Sequence, residues 1–109
     1  MINIDNHVRG DTLNISFSIR ADTVIDLASE DVAFTFSVKQ NITDTEYLIH
    51  KDKSAVTALG DNSFILRVPP EDTAALAERY YPYDLEFRFG DDVYTLARGN
   101  LHIIADVST

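Results

Sequence analysis

The stretch from Pro69 to Phe87 constrains the fold more than any other part of this chain. Its first half, Pro69-Pro70-Glu71-Asp72-Thr73-Ala74-Ala75-Leu76-Ala77-Glu78, cannot extend a sheet, because proline has no N–H to give to a ladder. Asp72 or Glu71 is expected to cap one short helical turn within residues 71–78, with Leu76 turned into the bottom of the core. The second half, Tyr80-Tyr81-Pro82-Tyr83-Asp84-Leu85-Glu86-Phe87, places a large apolar side chain at every second position. That is the period of a half-buried strand. A helical turn dropping straight into such a strand is a corner between two sheets. Tyr81, Tyr83, Leu85, Phe87 and Phe89 form the predicted inward row, and Tyr80 has the opposite parity.

The same period recurs along the chain. Thr12 to Arg20 turns Leu13, Ile15, Phe17 and Ile19 one way and Asn14, Ser16, Ser18 and Arg20 the other. Asp31 to Lys39 buries Val32, Phe34, Phe36 and Val38, after a polar connection anchored by Ile25 and Leu27. Thr45 to Lys51 reads as a strand of weaker phase and a candidate edge, and Val56 to Leu59 as a short edge strand. Gly60-Asp61-Asn62 is a turn whose residues tolerate positive φ, followed by Phe64, Leu66 and Val68 on the core side. Gly90-Asp91-Asp92 closes a hairpin. Tyr94 and Leu96 then fall on even positions, while Leu101, Ile103 and Val107 fall on odd ones. One extra residue repairs that phase, and a β-bulge is expected at Gly99-Asn100. Seven or eight short strands at near-regular spacing predict an all-β fold. It is read as one immunoglobulin-like antiparallel β-sandwich over residues 1–109, with Tyr81 or Tyr83 as its corner tyrosine.

Composition narrows the function. The chain has 109 residues, 45% of them hydrophobic, enough for one core. A net charge of −9 repels phosphate backbones and anionic membranes, so nucleic acid and membrane are not expected as partners. There is no cysteine, which excludes disulfides and thiolate chemistry and suits a reducing compartment. Residues 1–6 enter a β pattern with no basic-then-apolar leader, and no run is apolar for long enough to span a bilayer. His7, His50 and His102 lack ligand spacing, so no metal or other cofactor is expected. Asp91 and Asp92 with Asp61, or Asp5 with Asp106, are read as solvated turn residues, since no calcium loop surrounds them. Arg9-Gly10-Asp11 is read as a turn entering a strand and not as an adhesion motif. No nucleophile elbow or glycine-rich oxyanion loop is present, and an enzyme is not expected.

Several pieces together carry a resemblance: Gly10-Asp11-Thr12, Ile25-Asp26-Leu27, Phe34-Thr35, Pro70-Glu71-Asp72-Thr73-Ala74-Ala75-Leu76, Tyr81-Pro82-Tyr83-Asp84-Leu85, Thr95-Leu96, Gly99-Asn100-Leu101 and Asp106-Val107. Spanning nearly the whole chain, they resemble small immunoglobulin-like structural proteins of tailed phages and prophages, similar to the N-terminal domain of siphophage baseplate upper proteins. The resemblance implies a free-standing virion structural or adaptor module of tail, neck or baseplate. It would bind itself or another phage structural protein, possess no catalytic residue, and reside in the virion or in the bacterial cytoplasm during assembly. A homo-oligomer is compatible with that role. Tyr47, Tyr80, Tyr94 and His102 are the candidate interface residues, Tyr80 and Tyr94 being read as sharing an outer sheet face. The same two tyrosines, with acidic loop residues, support the alternative of a carbohydrate-binding β-sandwich module.

Overall fold

Eight strands and one short helix form two facing sheets in the computed structural model, which describes residues 2–105. In chain order they are β1 (Ile4–Val8), β2 (Leu13–Ser18), β3 (Val32–Val38), β4 (Ile49–Lys51), β5 (Val56–Gly60), β6 (Ser63–Val68), α1 (Pro70–Ala74), β7 (Arg79–Phe89) and β8 (Asp92–Ile104). The larger sheet runs β1-β8-β7-β3-β4 and the smaller β2-β6-β5. This all-β sandwich has the strand order of an immunoglobulin-like fold, with α1 at the corner between the sheets. One pairing departs from the antiparallel expectation: β1 runs parallel to β8. Because β1 passes to the opposite sheet through the Gly10 turn, no hairpin forces it to run against its neighbour.

The core is where the inward rows meet. Val32, Phe34, Phe36 and Val38 of β3 face Phe64, Leu66 and Val68 of β6, with Tyr81, Tyr83, Leu85 and Phe87 of β7 beside them. Phe34 lies at the centre, its ring 5.5, 5.3 and 5.1 Å from those of Phe17, Phe64 and Phe87. Those offset and edge contacts add to the burial of each ring. Turn chemistry sets the registers. Asp61 and Asn62, with φ of 52° and 57°, form a two-residue loop joining β5 to β6, as a type I′ turn requires.

The corner differs in detail from the sequence expectation. α1 begins at Pro70, one residue after Pro69 serves as its cap, and no side chain caps it. Asp72 instead sits inside the first turn, where its carboxylate pairs with Lys51 of β4 at 2.6 Å. Starting earlier, the helix also ends earlier, at Ala74, so Leu76 falls beyond it and is only half-buried. Thr73 takes the fully buried position, its Oγ1 accepting the Gly10 N–H at 2.9 Å. Arg9-Gly10-Asp11 is thus a turn held against the corner. Tyr81 Oη donates to Ala77 O at 2.7 Å, four residues upstream, the geometry of a tyrosine corner.

Three further expectations are corrected. Thr45 to Lys51 contributes a strand only at Ile49–Lys51, although it does form an edge of the larger sheet. A turn closed by Asn41 and Asp44 precedes it and delays the pairing. The bulge lies at Leu96 and not at Gly99-Asn100: Leu85 pairs with Ala97 and Glu86 with Thr95, leaving Leu96 over. Gly99 has another cause, since a Cβ there would lie 2.1 Å from the Ile2 carbonyl oxygen. Phe89 is outside the core, because β2 and β6 end at Ser18 and Ser63, one layer short of it. Val107 and Asp106 lie outside the described residues.

Candidate binding surfaces

Pleating decides which side chains share a face. On β7 the inward row ends with Phe87 and Phe89, and the outward row is Tyr80, Pro82, Asp84, Glu86 and Arg88. Arg98, Asn100 and His102 of β8 point outward beside it, as do Thr35 and Ser37 of β3. His50 of β4 stands opposite Ser37, and Ser37 Oγ lies 3.2 Å from His50 Nδ1. Tyr47 stacks on His50 with ring centroids 4.5 Å apart, and Lys39 Nζ lies 5.1 Å from the Tyr47 ring centre. Between these groups runs an outer groove of about 460 Å3, lined by Thr35, Lys39, Tyr47, Asp84, Glu86 and Arg98 among others. Lys51–Asp72 is the one ion pair among the described residues, so the charged groups of this groove keep donors and acceptors for a ligand.

Tyr80 and His102 are cross-strand partners on the same outer face. Their rings stack at 4.0 Å and 8°, and His102 Nδ1 lies 3.1 Å from Asn6 Oδ1. Tyr47, Tyr80 and His102 therefore share a face. Tyr94 does not. The extra residue at Leu96 puts Tyr94 opposite Phe87, on the inward side, with the two rings stacked 6.1 Å apart. This corrects the expected pairing of Tyr80 with Tyr94 on an outer face.

Tyr94 belongs to a second surface. At the tip of the β7–β8 hairpin, Phe89, Val93 and Tyr94 are 48%, 57% and 51% exposed. Beneath the tip, an apolar groove of about 400 Å3 is lined by Ile19, Ile25, Phe87, Phe89, Tyr94 and Leu96. Phe89 was not legible as a surface residue, since local alternation says nothing of where the facing sheet stops; Val93, opposite Arg88, lies on the outward face.

Among the described residues two ionisable groups are perturbed, each with a structural cause. Burial pushes the Tyr83 phenol above its ordinary value of 10.0, and its Oη donates to the Ile2 carbonyl at 2.6 Å. Hydrogen bonds from the Ser54 side chain and backbone hold the Asp52 carboxyl below the usual range at the start of a 3-10 turn. The histidines do not converge: His7 on β1 and His50 on β4 occupy opposite edges of the larger sheet. Among the described residues no three His, Cys, Asp or Glu side chains group as metal ligands, and no helix is long and apolar enough to cross a membrane. Asp106 lies outside the described residues, and Asp91 and Asp92 are exposed at the hairpin tip. No family model matches the chain, and no curated protein is significantly similar to it.

Proposed function

We propose that this chain is a non-enzymatic adaptor of a tailed-phage or prophage particle, holding its neighbours by protein–protein contact. The observation that carries the reading is the uncovered apolar end of the β7–β8 hairpin, with Phe89 and Tyr94 about half exposed at an open groove and Val93 exposed on the other face of the tip. An apolar patch rimmed by polar residues marks a binding surface, and aromatic side chains are favoured at the centre of interfaces. Tyr94 stays among the interface residues, on the inward face. The phage assignment rests on the sequence resemblance; its site of action would be the virion, or the bacterial cytoplasm during assembly. The test is to induce the prophage of a strain carrying the gene and band the particles by density. Wild-type protein is expected in the particle band, and a Phe89→Asp, Tyr94→Asp variant in the free fraction. Absence of the wild-type protein from the particles sinks the reading.

One observation favours the carbohydrate alternative on different residues. The outer groove offers a tyrosine ring, two carboxylates, a guanidinium and an amide on a concave sheet face, groups that meet hydroxyls and sugar C–H surfaces. Titration of a glycan library with wild type and Glu86→Gln, Tyr47→Ala protein tests it. Binding that the double variant loses supports it, and silence from the wild type removes it.

A further inference from the structure

Among the described residues the two sheets leave four strand edges open: β1 and β4 on the larger, β2 and β5 on the smaller. An open edge offers unpaired N–H and C=O groups to any other strand, so proteins shorten it, charge it or bulge it. Three of the four are treated in this way. β1 breaks register between Ile4 and His7, with Asn6 at φ 55°. β4 is three residues long and carries Lys51. β5 breaks register between Ala58 and Gly60. β2 has none of these devices. Its six residues, Leu-Asn-Ile-Ser-Phe-Ser, hold unbroken register with β6 and include no charge, proline or glycine.

We propose that the β2 edge pairs antiparallel with the β2 edge of a second copy, joining the two smaller sheets into one of six strands. Ile19 N–H donates to Asn62 O on the β6 side. By alternation, Asn14, Ser16 and Ser18 aim their backbone groups at the open edge. Facing residues of antiparallel strands share a sheet face, so the pairing must keep apolar opposite apolar. Centred on Ser16, it sets Asn14 against Ser18, Ile15 against Phe17 and Leu13 against Ile19. Shifted to centre on Ile15, it would drive Asp11 against Ile19 in the core-side row.

A second copy suits this edge for two reasons. Ile15, Phe17 and Ile19 are only half-buried in one copy, and the same row of the mate covers them. The chain carries −9, yet these facing rows hold no carboxylate, and Arg20 comes within one residue of Asp11 at both ends. A twofold contact of this kind closes on itself and stops at a dimer.

This contact is independent of the hairpin surface and is tested separately. In sedimentation equilibrium from micromolar to millimolar concentration, the wild type is expected to dimerise reversibly. Ser16→Lys sets two ammonium groups opposite each other and should weaken the dimer at least tenfold, whereas Thr57→Lys on the β5 edge and Phe89→Asp at the hairpin should not. The chain has no cysteine, so engineered thiols report position without background. Ser16→Cys protein should cross-link on mild oxidation, its paired Cα atoms lying about 5.5 Å apart, and Thr57→Cys protein should not. The cross-link carries the test if Ser16→Lys fails to fold. A wild type monomeric throughout, a dimer indifferent to Ser16→Lys, or cross-linking through Thr57 in place of Ser16 overturns the proposal.

Discussion

Single atoms at the corner do much of the positioning. The Tyr81 ring is buried and its hydroxyl closes the loop between α1 and β7 on Ala77. Tyr81→Phe keeps the packing and loses that bond, so urea denaturation should show a loss of about 1 kcal/mol with an unchanged slope. Tyr83 adds a pH dependence. Folding raises its pKa above 10.0 by burial, so the folded state holds the phenolic proton more tightly than the unfolded chain. The stability it contributes is complete below that value and is lost as pH rises through the higher folded-state pKa. Compared with Tyr83→Phe, the wild type should lose stability more steeply above pH 10, in paired unfolding curves at neutral and strongly alkaline pH. Parallel curves would refute it. Gly99 is a steric requirement. Ile2 N–H donates to Arg98 O while the Ile2 carbonyl lies over Gly99. Gly99→Ala should displace the first residues and cost about 1–3 kcal/mol, read as a lower Tm.

Elements show where alternation succeeds and where it fails. β3 and β6 were legible in full, because both lie inside the sandwich and their inward rows meet a complete facing layer. β8 was legible in its need for an extra residue but not in its place. Either Leu96 or Gly99-Asn100 repairs the phase, and only pairing with the continuous β7 settles it on Leu96. That shift of three positions turns Ala97 inward and Arg98 outward. Tyr94 is inward with either placement, so it is the extra residue itself that divides the expected tyrosine platform. The corner helix was legible in existence, from its two prolines and small residues. Its inward residue was not, since a shift in the helix start exchanges Leu76 for Thr73. Thr73→Val keeps the volume and orphans the Gly10 N–H, and should cost about 1–3 kcal/mol in chemical denaturation. Asp72→Asn, which weakens a partly exposed ion pair, should cost at most about 1 kcal/mol.

Over the whole molecule, the larger sheet outruns the smaller one. Its long hairpin passes the last facing layer, so the inward row of β7 continues into solvent as Phe89. Two phenylalanines of the same parity should therefore respond differently. Phe34→Ala, at the meeting point of three other rings, should cost about 3–5 kcal/mol. Phe89→Ala should stay within about 0.5 kcal/mol, as surface changes do. Similar losses for both, in thermal or urea unfolding, would mean that the tip is covered. Strand rows, turn types and the corner follow from the order of residues alone, because φ preferences and the twofold pleat act between near neighbours. The bulge, the buried threonine, the bare hairpin tip and the unguarded β2 edge exist only once the sheets are assembled. Each depends on what a distant segment covers or leaves open, and no neighbouring residue in the chain carries that information.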